Sequence, residues 1–226
     1  MRWCASPTSW ASVRGWPSWC RSATSRAEKR ELVNEDKLKR LEELSRELLL
    51  ILGEDPEREG LRKTPRRLAE LYRDLSSGYR ISPEEVVADA IFPVEYDHLI
   101  LVRDIEYHSL CEHHLLPFFG HIHVGYIPNG KVIGLSKIPR IVEVFSKRLQ
   151  LQERMTEEIA RFLQHIIHPQ GVAVVAEGLH LCLTMRGAKK ESARMVTSSV
   201  KGLFRRDARS RAEIMNLISM GGPSGR

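Results

Sequence analysis

Hydrophobic residues in the first part of the chain recur at helical spacing. Residues 27–52 carry leucines three or four positions apart, with charged residues between them, which predicts an amphipathic helix. These leucines are Leu38, Leu41, Leu44, Leu48 and Leu52. Thr64-Pro65 predicts the start of a second helix with Thr64 as its N-cap, and Ser82-Pro83 predicts a short third helix. We therefore expect an N-terminal helical region over residues 27–95.

The hydrophobic pattern changes character after residue 95. Two β-rich segments, two helical segments, two further β-rich segments and a last helix follow one another. They are predicted at residues 99–107, 121–127, 136–148, 152–168, 171–186, 192–204 and 207–219. Strands grouped in pairs around a helical block predict an α+β domain over residues 96–220. Its antiparallel four-stranded sheet would carry two helices on one face. The open edges of such a sheet favour pairing between subunits, so we expect an oligomer.

The two ends of the chain differ from this body. Residues 1–26 contain four arginines, all four tryptophans and no acidic residue. The net charge of +6 falls to +2 without them, which argues against a basic nucleic-acid-binding surface on the body. Three interpretations of this segment stay open, namely a transit peptide, a disordered tail and sequence added by an upstream start. We place no chemistry there, and we expect residues 221–226 to be a flexible end.

The expected chemical state of the cysteines depends on the cellular compartment. The chain has no run near the ~18–20 apolar residues of a membrane span, so we expect no membrane association. Residues 1–26 lack the apolar segment of a secretory signal. We therefore expect a cytoplasmic, reducing location, where Cys111 and Cys182 are metal ligands or free thiols rather than a disulfide.

Two short runs in the body contain candidate metal ligands. Cys111 and His114 are separated by two residues, so a thiolate and an imidazole can reach one ion from a single turn of chain. His180 and Cys182 are two residues apart and would share one face of a strand. Either residue alone is more often a satisfied histidine or a buried cysteine than a ligand. Both runs together favour a site with the nitrogen and sulfur ligands that suit Zn²⁺.

The ligand count leaves the role of this zinc open. Three protein ligands would leave a place for water, as in a catalytic zinc site. A fourth ligand, from His113 or His180, would make the site structural. Composition alone supports both alternatives.

Four runs, taken together, closely resemble GTP cyclohydrolase I. They are Cys-Glu-His-His-Leu from Cys111, Val-Ile-Gly-Leu-Ser-Lys at 132–137, Leu-Gln-Glu-Arg-Met-Thr at 151–156 and His-Leu-Cys-Leu-Thr-Met-Arg-Gly at 180–187. The resemblance covers residues 30–219. It implies a tunnelling fold assembled as a homodecamer, with active sites at subunit interfaces. It also implies conversion of GTP to 7,8-dihydroneopterin triphosphate and formate. Whether that product would feed tetrahydrofolate or tetrahydrobiopterin synthesis is left open.

The resemblance also implies roles for individual residues. Its zinc ligands, for one Zn²⁺ per subunit, are Cys111, His114 and Cys182. Its catalytic residues are His113 as acid and base, His180 as a second catalytic or phosphate-contacting group, and Ser136 at the ribose. Its substrate contacts are Glu153, supported by Gln152, at the guanine, and Lys137, Arg140 and Arg186 at the triphosphate, with Arg67 from a neighbouring subunit. One departure is Glu70, where some members of the family carry a lysine.

Two rival interpretations are weaker. A zinc-stabilised nucleic-acid-binding module would need paired, closely spaced ligands and a basic surface, and the body has neither. Other tunnelling-fold enzymes, such as a pterin synthase or a deazaguanine reductase, use an all-histidine zinc set or a nucleophilic cysteine with a nicotinamide cofactor. The Cys/His/Cys set argues against both of these enzymes.

Overall fold

A computed structural model describes residues 35–186 and 189–220 and shows a mixed α+β fold. The helices are α1 (Glu35–Ile51), α2 (Thr64–Leu75), α3 (Pro83–Val87), α4 (Lys137–Ser146), α5 (Gln152–Ile166), α6 (Leu181–Thr184), α7 (Leu203–Arg206) and α8 (Ala208–Ser219). The strands are β1 (Ile91–Pro93), β2 (Ile100–Cys111), β3 (Pro117–Ile127), β4 (Lys131–Ile133), β5 (Leu149–Gln150), β6 (Gly171–His180) and β7 (Met195–Gly202). The predictions for the N-terminal segment 1–26, for residues 27–34 of the first helix and for the end at 221–226 lie outside the described residues.

The main sheet has five strands rather than the predicted four, in the order β5-β2-β3-β6-β7. The four long strands pair antiparallel with their neighbours, while the two-residue β5 runs parallel to β2. A separate small sheet pairs β1 with β4. The four long strands lie where the hydrophobic pattern predicts strands. The three short strands were not predicted, because two or three residues are too few to show a periodicity.

One face of the main sheet packs against α4 and α5. Alternate residues of β6 (Val172, Val174 and Ala176) point to this side and are fully buried. The helices contribute the side chains of Ile138, Ile141, Val142, Phe145, Met155, Ile159, Phe162 and Leu163 to the same cluster. Each fully buried aliphatic or aromatic side chain contributes about 1.5–3 kcal/mol, so this layer dominates the stability of the body.

The C-terminal helix lies on the opposite face of the sheet. Ala173, which alternates with the residues above, packs with Phe204 and Ile214 in a second small core. The approach is close, since a Cβ on Gly125 would lie 2.4 Å from Cδ1 of Ile214. The prediction of two helices on one face therefore describes α4 and α5, and α8 adds partial cover on the other side.

The N-terminal helices form a hairpin in which α1 packs mainly against α2. Leu38 is buried, but Leu48, Ile51 and Leu52 are 46%, 81% and 68% exposed. Helix α2 begins at Thr64 itself and has no side-chain cap, so the prediction of Thr64 as the N-cap is wrong by one residue. Among the described residues, no helix is both long enough and apolar enough to cross a bilayer.

A candidate metal centre and the amide network behind it

A tight turn presents the first pair of candidate ligands. Strand β2 ends at Cys111 and β3 begins at Pro117. Two backbone hydrogen bonds close the turn: the N–H of Cys111 donates to the carbonyl of Leu116 at 2.9 Å, and the N–H of Leu115 donates to the carbonyl of Cys111 at 2.8 Å. Leu115 adopts a left-handed conformation with φ of 55°. His114 is thereby folded back toward Cys111, with Nδ1 3.7 Å from Sγ.

The second candidate segment differs from its prediction. His180 and Cys182 were expected to share one strand face, with the leucines around them in the core. Instead β6 ends at His180, and Cys182 lies in the short helix α6. The strand stops because its partner ends there. His180 lies opposite Phe118, and the next residue of β3 is Pro117, which has no N–H for the ladder.

Cys111, His114 and Cys182 form a compact ligand group. One ligand atom from each residue lies within 4.8 Å of those of the others. Burial raises the pKa of the Cys182 thiol, and the adjacent Cys111 raises it further, whereas Arg186 acts in the opposite direction. Two thiols in contact retain their protons unless a cation compensates their charge, and two sulfurs with one imidazole suit Zn²⁺. The residues present therefore fit this metal.

Arg154 fastens the turn to the helical layer. Its guanidinium donates to the Glu112 carboxylate, to Oε1 of Gln150 at 2.6 Å and to the carbonyl of Leu149 at 3.1 Å. His113, the residue between Glu112 and His114, remains 63% exposed. Its ring is 6.1 Å from that of His114 and perpendicular to it. The imidazole of His113 thus lies beside the ligand group and open to a small molecule.

A buried amide lies on the protein side of the same site. Gln152, the first residue of α5, is fully buried. Its Nε2 donates to the carbonyls of Ala176 and Met195 at 3.1 and 2.9 Å, and to Oγ1 of Thr197 at 3.1 Å. Its Oε1 lies 3.1 Å from the hydroxyl of Tyr107 and 2.9 Å from Nε2 of His180. A direct contact between this amide and a substrate would require one of these hydrogen bonds to be exchanged.

His180 is held by its ring face as well as by its nitrogen. The imidazole stacks on Phe118 with ring centroids 4.5 Å apart and planes 7° from parallel. Burial lowers the pKa of His180, and the negative charge of Glu153 opposes that effect. One face of His180 thus packs on the buried Phe118, while the exposed carboxylate of Glu153 acts on the ring electrostatically.

The other predicted site residues lie on or near helix N-termini and on the surface. Glu153 is exposed in the first turn of α5. Ser136 and Lys137 are at the start of α4, with Arg140 exposed one turn later. Arg186 follows α6 and is exposed. The structure thus gathers Cys111, His114 and Cys182 into one group and His180 with Gln152 and Glu153 into another.

Arg67 belongs to a different part of the chain. It is exposed on α2, in the N-terminal hairpin. The neighbouring Glu70 accepts a hydrogen bond from Nε of Arg66 at 2.8 Å. The departure at Glu70 is therefore accommodated by an ion pair within this hairpin.

Sequence reasoning missed the residues that support the site. These are Tyr107, Phe118, Arg154, Gly178 and Thr197. Only Gly178 carried a readable signal, because a glycine inside a strand marks a close approach. A Cβ there would lie 2.4 Å from both Oε1 of Gln152 and the hydroxyl of Tyr107. The other four are ordinary strand or helix residues until the register is known.

The chain combines an α+β fold with a Cys-His-Cys group that has two further histidines beside it. These features together define a class of protein, one with a candidate metal-dependent catalytic site. Comparison with known proteins narrows the class to one family. The profile of the family described as GTP cyclohydrolase I matches residues 41–219, and the chain belongs to this family.

Individual relatives agree with the family match. The GTP cyclohydrolase 1 of Chlorobaculum tepidum is 52% identical over 76% of this chain and 76% of its own. The enzyme of Leptospira biflexa is 52% identical over 80% of this chain and 99% of its own length. The enzyme of Methylococcus capsulatus is 52% identical over 79% of this chain and 96% of its own length. A solved archaeosine synthase QueF-Like structure aligns at a TM-score of 0.39 with 16% identity over 48% of this chain and 97% of its own, which is too weak to bear on the fold.

Proposed function

We propose that this chain is a GTP cyclohydrolase I, which opens the imidazole ring of GTP at C8, releases formate and forms 7,8-dihydroneopterin triphosphate. The observation that carries the proposal is the Cys111, His114 and Cys182 group, with ligand atoms within 4.8 Å and His113 and His180 beside it. The family to which the chain belongs supplies the substrate. The same kinship supports a tunnelling fold for the catalytic domain at 96–220.

The proposed cofactor is one Zn²⁺ per subunit, held by Cys111, His114 and Cys182. When bound, it supplies a Lewis acid that makes water a competent nucleophile near neutral pH. The protein's own contribution is to present the three ligands on two short segments fixed by the β2–β3 turn and by α6. His113 and His180 stay outside the ligand set in this proposal, which leaves both imidazoles for proton transfer.

His113 and Glu153 carry separate tasks in the proposed reaction. The exposed His113 donates a proton to N7 of the purine, which makes C8 more electrophilic. The carboxylate of Glu153 accepts from guanine N1–H and from the exocyclic amine together. Adenine lacks this pair of donors and would leave a carboxylate unpaired, so Glu153 discriminates against it. Ser136 and His180 assist the later opening and closure at the ribose.

The proposed triphosphate-binding site takes residues from more than one subunit of an oligomer. Lys137, Arg140 and Arg186 are the proposed triphosphate contacts, because three negative phosphate groups need several cations. Arg67 would join them from a neighbouring copy, since it lies on the N-terminal hairpin rather than at the site. The exposed leucines of that hairpin, such as Leu48, Leu52 and Leu71, are consistent with burial in an oligomer, which we propose to be a homodecamer.

The direct test is to incubate zinc-loaded protein with GTP and to measure formate and the fluorescent oxidised pterin, with and without a chelator. Cys182→Ser should lose zinc and reduce pterin formation by more than about 100-fold, because loss of a residue that merely supports a ligand already costs about 10- to 100-fold. Cys20→Ser exchanges a cysteine to which we assign no ligand role, so this variant should keep both its zinc and its pterin formation. Absence of pterin from the zinc-loaded wild type would refute the proposal.

The guanine contact has its own test. Glu153→Ala should impair GTP turnover while zinc content stays at the wild-type level. Glu158→Ala, on the same helix, should have the smaller effect on GTP use, because Glu158 bonds to Gln150 at 2.9 Å rather than acting on His180. Loss of zinc in Glu153→Ala would instead show a structural role for Glu153.

A further inference from the structure

The orientation of the Gln152 amide follows from its surroundings. Two of the atoms around its Nε2 are the carbonyl oxygens of Ala176 and Met195, which can only accept hydrogen bonds. The group that faces them must therefore be the amide NH₂. The third neighbour, the hydroxyl of Thr197, is 2.7 Å from that of Thr156, which in turn donates to the carbonyl of Gln152 at 2.7 Å. A flipped amide would place Oε1 against the carbonyl oxygens of Ala176 and Met195, so that an acceptor would face an acceptor at both contacts.

The fixed amide determines what its oxygen can do. Oε1 of Gln152 can only accept, so both groups beside it must donate. Tyr107 meets this requirement with its hydroxyl at 3.1 Å. His180 meets it only if Nε2 carries a hydrogen, since the 2.9 Å contact would otherwise place two lone pairs together.

We propose that Gln152 is a positioning residue that fixes His180 in the Nε2–H tautomer, so that the lone pair resides on Nδ1. In the proposed GTP cyclohydrolase reaction, on which this role rests, His180 is then a proton acceptor in its resting state. It can donate only after it has taken up a proton. His113, which has no such amide partner among the described residues, remains the proton donor. The two histidines thereby divide the proton transfers.

The packing around His180 keeps Nε2, rather than a ring carbon, facing the amide oxygen. Phe118 covers one face of the ring in a stack with centroids 4.5 Å apart. Gly178 lets the amide lie against β6, where any larger residue would collide with it. Turning the imidazole over would place a carbon against Oε1 and would leave a buried acceptor with one partner fewer, a loss that proteins rarely tolerate.

The tautomer can be read directly by magic-angle-spinning NMR of the zinc-loaded, substrate-free protein labelled with ¹³C,¹⁵N-histidine. Nδ1 is bonded to Cγ and Nε2 to Cδ2, so the carbon that correlates with the unprotonated nitrogen identifies the tautomer. The His180 signal is assigned as the one that disappears in His180→Asn. We expect its unprotonated nitrogen to correlate with Cγ. Correlation with Cδ2 in the wild type would overturn the proposal, and His180→Asn is needed only to assign the signal.

Variants separate positioning from substrate contact. Gln152→Met keeps the length of the side chain but removes its hydrogen bonds, and should yield signals of both His180 tautomers. Its kcat should fall by roughly 10- to 100-fold with KM little changed, as for residues that orient a functional histidine. Tyr107→Phe keeps the three anchors of Nε2 and should retain the single tautomer. A raised KM with unchanged kcat in Gln152→Met would overturn the proposal in favour of a substrate contact.

The NMR spectrum and the GTP assay test the positioning role and the proposed function independently. If the wild type shows the Nε2–H tautomer but forms no pterin from GTP, the positioning by Gln152 stands and the proposed substrate is wrong. If pterin forms but the unprotonated nitrogen correlates with Cδ2, the proposed function stands and the positioning role is wrong.

Discussion

The sheet body and the N-terminal hairpin are held together in different ways. In the body, α4 and α5 bury a continuous apolar layer against four long strands, and the amide of the buried Gln152 is hydrogen-bonded through both its nitrogen and its oxygen. In the hairpin, Arg66 of α2 pairs with Glu35 and Glu42 of α1 at the surface, and several leucines remain exposed. The body holds the ligand group and its support, whereas the hairpin holds Arg67.

This difference predicts in which region a substitution will affect the candidate site. A buried side chain next to Gln152 cannot move without disturbing the position of His180, because buried groups are close-packed. The hairpin makes few contacts with the sheet, so its sequence affects the site only through whatever it contacts in the proposed oligomer. The comparison therefore predicts large, coupled effects in the body and small, independent effects in the hairpin.

The largest effect is expected at Gly178. Gly178→Ala would place a Cβ 2.4 Å from both Oε1 of Gln152 and the Tyr107 hydroxyl, and neither group is free to yield. We expect a loss of about 1–3 kcal/mol in the free energy of unfolding, as for other overpacked core positions. Turnover should fall with it, because Gln152 supports His180. Chemical denaturation and the pterin assay measure the two changes.

The matched control for this substitution is Gly134→Ala. A Cβ at Gly134 would meet Ala90 at 3.4 Å and Phe92 at 3.5 Å, which are ordinary contacts. Stability should change by less than about 0.5 kcal/mol, the range of substitutions without a specific defect. Equal stability losses in the two variants would show that the packing around Gln152 is looser than the distances imply.

The second effect concerns Glu157, which links α5 to β7. Burial alone would raise its pKa, but hydrogen bonds from Lys201, Ser199 and Arg161 lower the pKa to about 2, below its ordinary value of 4.5. The stabilisation is therefore present above pH 4.5 and is lost as the pH falls toward 2. Glu157→Gln should be less stable than the wild type by about 1 kcal/mol at neutral pH, and the gap should close in acid.

An exposed ion pair of the hairpin provides the contrast for Glu157. Glu43 pairs with Arg40 on α1, and both side chains are more than half exposed. Glu43→Gln should show no gap that depends on pH. Comparing each variant with the wild type at the same pH cancels any common loss of metal in acid. A constant gap for Glu157→Gln between pH 5 and pH 2 would contradict the role of its charge.

The sequence allowed the long elements and the grouping of Cys111, His114 and Cys182 to be predicted, but not the residues that pack around this group. The four long strands and the helices around Leu68, Ile141 and Ile159 lie where their hydrophobic spacing predicts them, because each is long enough to show a period. The end of β6 at His180 was not predictable, since it depends on Pro117 in a strand that is distant in sequence. Long-range register, rather than local pattern, decides such ends.

The same limit applies to the site. The spacing of Cys111 and His114 is local, and their proximity in the structure follows from one turn. By contrast, Gln152 meets Tyr107 and His180 only because α5 begins beneath Gly178 on β6. Nothing near Tyr107 in the sequence indicates this contact. Hydrogen-bonded supports of a site are therefore harder to predict than the ligands they support.

The smallest effect is expected within the hairpin, at Arg66. Its guanidinium bonds to Glu70 at 2.8 Å and to Glu35 at 3.1 Å, with all three side chains at least 39% exposed. A double-mutant cycle with Arg66→Ala and Glu70→Ala should give little or no coupling, because exposed pairs one helical turn apart gain little over hydration. The coupling should shrink further in 1 M salt, where the screening length falls to about 3 Å. A strong coupling, or one insensitive to salt, would mean that the ion pair is sheltered. This side of α2 would then be shielded from water, as burial against a neighbouring copy would do, since only exclusion of water could strengthen the contact to that degree.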